Sequence, residues 1–301
     1  MSLHSHGEGA SERQVLRGLW LAVELSLGIL LIESLGAVLS HSLSLTVDAV
    51  HNVPDILAFL LSWSAIRASE AGATPRFTFG AHRMETFAGL FNALLVLATG
   101  AAFGYGALVY LLRGGTFDGT VDPVWVLAAA VPTLALRGAG LLVLQGIPGR
   151  VRELNLRSVI LHLGSDLVIT LALLIAGLVL LLRPSIAWVD PVAALAIAAV
   201  LVYEALPLLR DGWDVLTERI PRNLSVEAIT ASALGVPGVR ALHDVHVWSV
   251  CSSLVCLTAH VRVGEVSLRE ATNVVAELRL RMEQEFGIVH STFEVEGPAP
   301  A

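Results

Sequence analysis

Along the 301-residue chain, apolar residues come in six long runs, and then the pattern changes. The runs fall near 15–39, 43–66, 86–112, 122–146, 157–182 and 187–209. Each is long enough to cross a hydrocarbon core as an α-helix, which takes roughly 20 residues. The connections are short: SHSLS, RGGTFDGTVDP and RPSIAWVDP join runs 1–2, 3–4 and 5–6. Gly and Pro in the last two supply turn chemistry. From about residue 211 the periods shorten. SVEAITASAL (225–234) has a helical period behind a Ser cap. VRALHDVHVWSV (239–250) and SLVCLTAHVRV (253–263) alternate as strands do. SLREATNVVAELRLRMEQEF (267–286) is an amphipathic helix with Ser267 and Glu270 at capping-box positions. GIVHSTFEVEG (287–297) is a third strand. The pattern predicts a tail at 1–14 and a six-helix transmembrane domain at 15–210. A small α+β domain of order αββαβ, resembling a metallochaperone, follows at 211–301.

Composition agrees: 55% of residues are hydrophobic, 15% are charged, and the mean hydropathy is +0.73, far from the make-up of a soluble chain. The basic residues are all arginine. Arg13 and Arg17 precede run 1, Arg67, Arg76 and Arg83 lie between runs 2 and 3, and Arg150, Arg152 and Arg157 lie between runs 4 and 5. Arg210, Arg219 and Arg222 follow run 6, whereas the opposite loops carry only Arg113 and Arg183. The positive-inside rule then puts both termini and the last domain in the cytoplasm, with the chain in the cell's inner (plasma) membrane. MSLHSHGEGA lacks the basic and apolar regions of a cleaved signal peptide. The net charge of −7, mostly in the last domain, argues against a nucleic-acid partner. Cys251 and Cys256 do not form a CxxC pair and read as small core residues in a reducing compartment.

The second run opens with an anomaly. In VDAVHNVPDILAFLLSW, Asp48, His51 and Asp55 fall at i, i+3 and i+7, one stripe of a helix. An ionisable residue in a membrane helix costs roughly 2.5–3.5 kcal/mol on insertion scales and marks function by default. The fifth run supplies a partner, SVILHLGSDLVIT, with His162 and Asp166 at the same i, i+4 spacing as His51 and Asp55. Two such pairs face to face offer two imidazoles and two carboxylates, a set suited to tetrahedral zinc. The two carboxylates cancel the charge of a divalent ion, which matters where dielectric is low. Asp48 is expected beside these ligands or at the cavity entrance rather than as a fifth ligand.

With these residues on the page, the sequence resembles the cation diffusion facilitators over nearly its whole length. ESLGAVLSHSLSLTVDAVHNVPDILAF carries Glu33, Asp48, His51 and Asp55 in the pattern of the family's first two spans. FTFGAHRMETFAGLFNALLV (77–96), with Gly80, His82, Arg83, Glu85 and Asn92, resembles span 3. LNLRSVILHLGSDLVIT, WVDPVAALAI, ALHDVHVWSV, LTAHVRV and HSTFEVE follow in family order. The resemblance implies a homodimeric transporter that exports zinc and related divalent cations in exchange for protons. HxxxD on both helices resembles the zinc-preferring branch; relatives with Asp for the first His tend to accept cadmium. It also implies a zinc-binding cytoplasmic domain with His243, His260, His290 and Glu296 at ligand positions. Asn273 stands where bacterial relatives often have His. His82 matches a metal-binding position in some relatives, with a plain helix-start residue as the competing role. Three departures stand out: Pro54 between His51 and Asp55, no His-rich insertion in GIPGRVREL, and Arg137 inside span 4. Glu24 and Glu33 are the candidate partners of Arg137.

The remaining polar residues read as structural. His246 sits beside Trp248, Glu85 and Arg83 are expected to tie helices together, Arg83 and Asp211 are candidate dimer or hinge contacts, and His4 and His6 belong to the tail. Proton coupling is expected because two bare aspartates in lipid need replacement charge, and histidine, present here as His51 and His162, has a reference pKa near 6.5. An intramembrane metalloprotease is excluded by the lack of HExxH, so the chain is read as a transporter and not an enzyme. The alternatives are a membrane metal sensor without transport, or an exporter of Cd2+, Co2+, Ni2+, Fe2+ or Mn2+.

Overall fold

The computed structural model describes residues 8–70, 74–80, 82–113, 121–145, 154–186, 188–251 and 254–297; for 8–16, 19, 62, 65–70, 85, 144–145 and 154–162 it describes the backbone alone. The chain divides into two compact units, one comprising residues up to 81 with 88–209, the other 82–87 with the chain from 210.

The six apolar runs are helices: α1 (Glu8–Ser40), α2 (Leu43–Glu70), α3 (Arg83–Leu112), α4 (Pro123–Gln145), α5 (Leu154–Leu182) and α6 (Val189–Leu216). All six are long and apolar enough to span a bilayer. α1 packs on α2 and α4, α4 packs on α5, and α2 and α5 meet more lightly. Leu45, Val47, Ala129, Ile169, Leu173, Ile197 and Leu201 form the common core. Small residues allow the close approaches. A Cβ on Gly36 would lie 2.5 Å from Cβ of Ala129, and one on Gly100 of α3 would lie 3.0 Å from the carbonyl oxygen of Ala198 in α6. α2 continues through Pro54 to Glu70, although proline removes one helical N–H donor.

The start of α2 is held from far along the chain. Asp190, at the start of α6, accepts hydrogen bonds from Ser42 Oγ (2.5 Å), Ser44 Oγ (2.5 Å) and the Leu43 N–H (2.7 Å). A carboxylate at a helix N-terminus satisfies orphan donors and opposes the positive end of the helix dipole. This buried cap sets where α2 begins, and so the height of its polar stripe.

The second unit contains α7 (Val226–Leu234), β1 (Val239–Ser249), β2 (Val255–Val263), α8 (Leu268–Phe286) and β3 (His290–Glu296). The sheet order is β1-β2-β3, with β1 antiparallel and β3 parallel to β2. α8 makes the crossover that a parallel pair needs. Ser225 caps α7 by accepting from the Ala228 N–H. Ser267 and Glu270 form a reciprocal capping box at α8, and Gly287 ends that helix at φ +67°, a conformation natural to glycine. Ile229, Leu257, Val261, Leu278, Met282 and Phe293 form one core between helices and sheet. Cys251 and Cys256 are buried free thiols. Arg83 pairs with Glu218 at 2.9 Å and Asp211 with Arg222 at 3.2 Å; the Glu85 side chain lies outside the described residues.

His246 departs from the expectation of a structural residue beside Trp248. It is exposed and pairs with Asp244 at 3.1 Å. The reason is a register shift between His243 and His246, with Asp244 at φ +50°. The irregularity breaks strict alternation, so the buried residues of β1 are Leu242 and Val247, an odd number of positions apart.

Candidate metal centres

In the first unit, the polar stripe of α2 meets α5. His51 Nε2 lies 3.3 Å from Asp55 Oδ2 and 3.7 Å from Asp166 Oδ1. The three residues are buried, and one ligand atom of each lies within 4.8 Å of the others. Zinc–ligand bonds of roughly 2.0–2.2 Å imply a tetrahedral edge of about 3.4 Å. The two distances bracket that edge, so the trio fits one small cation. His162 is one turn before Asp166 on α5, but its side chain lies outside the described residues.

Asp48 does not join this trio. It is fully buried and faces Arg137 of α4, with Nη1–Oδ2 at 3.2 Å and Nη2–Oδ1 at 3.3 Å. Arg137 also donates to Asn52 Oδ1 at 3.3 Å, to the Asp166 carbonyl at 3.0 Å and to Thr170 Oγ1. Its ion pair with Glu33 spans 3.6 Å. Of the two partners expected for Arg137, Glu33 is the one, joined by Asp48; Glu24 is exposed. A buried arginine needs such compensation, because an unpaired charge in low dielectric is strongly unfavourable.

In the second unit, His243 and His260 are cross-strand partners with ring centroids 5.3 Å apart. Glu296 joins them through His243 Nε2 at 2.8 Å and His260 Nδ1 at 3.1 Å. These three also qualify as a cation-binding group. Hydrogen bonds with His260 and His243, together with Arg262 at 3.3 Å, hold the Glu296 carboxyl down at about 2. The bond to Glu296 raises the His260 imidazole above its ordinary range, helped by Glu294 and Asp244. His290 is not brought into the cluster. It begins β3 opposite Cys256, while Glu296 ends the strand opposite Arg262. Six residues of extended chain separate them, roughly 20 Å at 3.3 Å per residue. His82 Nδ1 lies 3.7 Å from Cys251 Sγ, apart from the His243 group. His4 and His6 lie outside the described residues.

Comparison with known proteins then decides the family. Residues 19–217 match the cation efflux transmembrane domain, and residues 221–297 match the cytoplasmic domain of cation efflux proteins. The chain belongs to the cation efflux, or cation diffusion facilitator, family. It is 30% identical over 295 residues to the metal cation efflux system protein CzcD of Cupriavidus metallidurans, covering 97% of this chain and 89% of that one. The cadmium, cobalt and zinc/H(+)-K(+) antiporter of Bacillus subtilis is 26% identical over 302 residues, 98% of this chain and 92% of its own. The probable proton-coupled zinc antiporter SLC30A3 of Bos taurus is 31% identical over 288 residues, 89% and 74% of the two chains. The protein is thus an integral membrane protein of a transporter family, with six apolar helices and a small α/β domain.

Proposed function

We propose that this protein exports zinc from the cytoplasm in exchange for protons, with His51, Asp55, His162 and Asp166 as the transport ligands. The convergence of His51, Asp55 and Asp166 in a buried position among membrane-spanning helices carries the reading. His162 completes the set because the i, i+4 spacing puts it on the same face of α5 as Asp166. Two imidazoles and two carboxylates make a neutral loaded site around a divalent ion, and protons replace the ion on the return. Cadmium and cobalt are the other cargo candidates, since the Bacillus subtilis relative's name includes them with zinc. Asp48 supports the site through Arg137 and does not take metal.

The domain division is 1–14, 15–210 and 211–301, with both termini in the cytoplasm and the helices in the inner membrane. A homodimer fits the dimerisation type of the cytoplasmic domain match. His243, His260 and Glu296 hold a regulatory zinc there, each offering one donor and leaving a fourth position open. His290 and His82 act outside that cluster. The test is zinc flux in proteoliposomes with an internal pH indicator. Zinc movement accompanied by opposite proton movement is expected; zinc movement without proton movement at any gradient overturns the exchange.

A further inference from the structure

Arg137 links three other helices around the proposed transport site. From α4 its guanidinium reaches Glu33 on α1, Asp48 and Asn52 on α2, and Asp166 and Thr170 on α5. It is 1% exposed, and among the described residues it is the largest of the fully buried side chains. On α2 its contacts lie one turn before His51 and one residue after it. On α5 it binds the backbone of Asp166, itself in the cation-binding trio. α2 and α5, the two ligand-bearing helices, pack more heavily on α1 and α4 than on each other. The guanidinium therefore supplies a direct polar link between them. Asp48 is fixed through both oxygens, so it is withheld from the cation.

Resting on the transport reading above, we propose that Arg137 is a positioning residue that sets the spacing of the two ligand pairs. That spacing is what favours a small tetrahedral cation over a larger one. The planar fork matters here. Five N–H donors in fixed geometry can serve a carboxylate, a carbonyl, an amide and a hydroxyl together. A lysine ammonium carries the same charge but has three donors about one nitrogen, and cannot span the same partners. With the fork lost, α2 and α5 are free to separate by tenths of an ångström, and cadmium gains on zinc. Loss of groups that orient metal ligands typically lowers metal affinity about 10–100-fold.

The experiment compares zinc and cadmium uptake into proteoliposomes by the wild type, Arg137→Lys, Arg137→Gln and the charge-balanced pair Arg137→Gln with Asp48→Asn. Size-exclusion chromatography confirms that each variant is folded. The expected result is a zinc KM raised about 10–100-fold in Arg137→Gln, with a higher cadmium-to-zinc flux ratio. The same change of ratio is expected in Arg137→Lys and in the double variant, which keep the net charge but lose the fork. If Arg137→Gln does not fold, Arg137→Lys and the double variant decide. A wild-type ratio and zinc KM in the folded variants overturns the proposal, and full rescue by lysine or by the double variant shows that charge rather than position is at work. Failure of the wild type to move either metal would instead count against the transport reading itself.

Discussion

Replacing Asp190 by alanine removes the cap that starts α2. Three short bonds dominate the loss, from Ser42 Oγ–H, Ser44 Oγ–H and the Leu43 N–H at 2.5, 2.5 and 2.7 Å, beside a long one from the Ser44 N–H at 3.4 Å. A hydrogen bond to a charged group contributes about 1.5–3 kcal/mol net, so a simple sum gives roughly 4.5–9 kcal/mol. The surroundings reduce this. Ser42, Leu43 and Asp190 line a cavity of about 670 Å³ together with His41, Thr46 and Tyr110. Most of that lining is apolar, but water at its polar edge beside Ser42, Thr46 and Asp190 replaces part of what is lost. The expected destabilisation is therefore about 3 kcal/mol, below the simple sum. Asp190→Asn keeps an acceptor but loses the charge, and should fall near half of that value. The assay is unfolding in mixed micelles titrated with SDS, followed by tryptophan fluorescence. Zinc flux is measured on the same preparations, because α2 carries His51 and Asp55. An Asp190→Ala protein within about 0.5 kcal/mol of wild type, the ordinary range for an inconsequential surface change, would refute the argument that this cap anchors α2.

Three further outcomes follow from the sites. Zinc on the cytoplasmic domain needs neutral imidazoles and an ionised Glu296. Because Glu296 is held at about 2 and His260 is raised, acid loss of that zinc should track the histidines and begin at a higher pH than for an ordinary imidazole. Zinc competition against a fluorescent chelator between pH 8 and about pH 5 measures this, and loss only near the carboxylate range would contradict it. In the metal-free protein the signs oppose. The Glu296 contribution to stability is present above its unfolded pKa and lost as pH falls toward 2, whereas that of His260 is present below its unfolded pKa and lost as pH rises through the raised value. In the proposed four-ligand membrane site, His51→Asp replaces a nitrogen by an oxygen and would make the zinc-loaded form formally −1. The cadmium-to-zinc uptake ratio should rise, and an unchanged ratio would remove His51 from selectivity.

The sequence was informative where a single helix or strand carries the signal. All six spans lie within a few residues of their apolar runs, but α1 starts at Glu8 and α6 ends at Leu216, beyond those runs. Hydropathy reads the thickness of the hydrocarbon layer, and the helices continue into polar turns such as RDGWDVL. The His51–Asp55 stripe was equally legible, because i, i+4 spacing fixes a face. Partner choice was harder. Arg137 was paired with Glu24 or Glu33, and its bond to Asp48 was missed, because depth and rotation of α4 against α2 are set by packing. The signal was nevertheless present: a lone arginine in one span and a carboxylate outside the ligand pairs in another. The resemblance groups His290 with Glu296 as ligand positions, yet strand length puts them at opposite ends of β3. The exposure of His246 is not legible because the irregularity at Asp244 has no glycine to announce it.

The central claim is that one cation crosses the membrane held by α2 and α5. Zinc uptake into vesicles of wild type, Asp55→Ala and Asp166→Ala, each verified as folded and inserted, tests it most directly. The account predicts zinc flux in the wild type and none in either variant. Robust zinc flux in Asp166→Ala would remove α5 from the site and contradict the account.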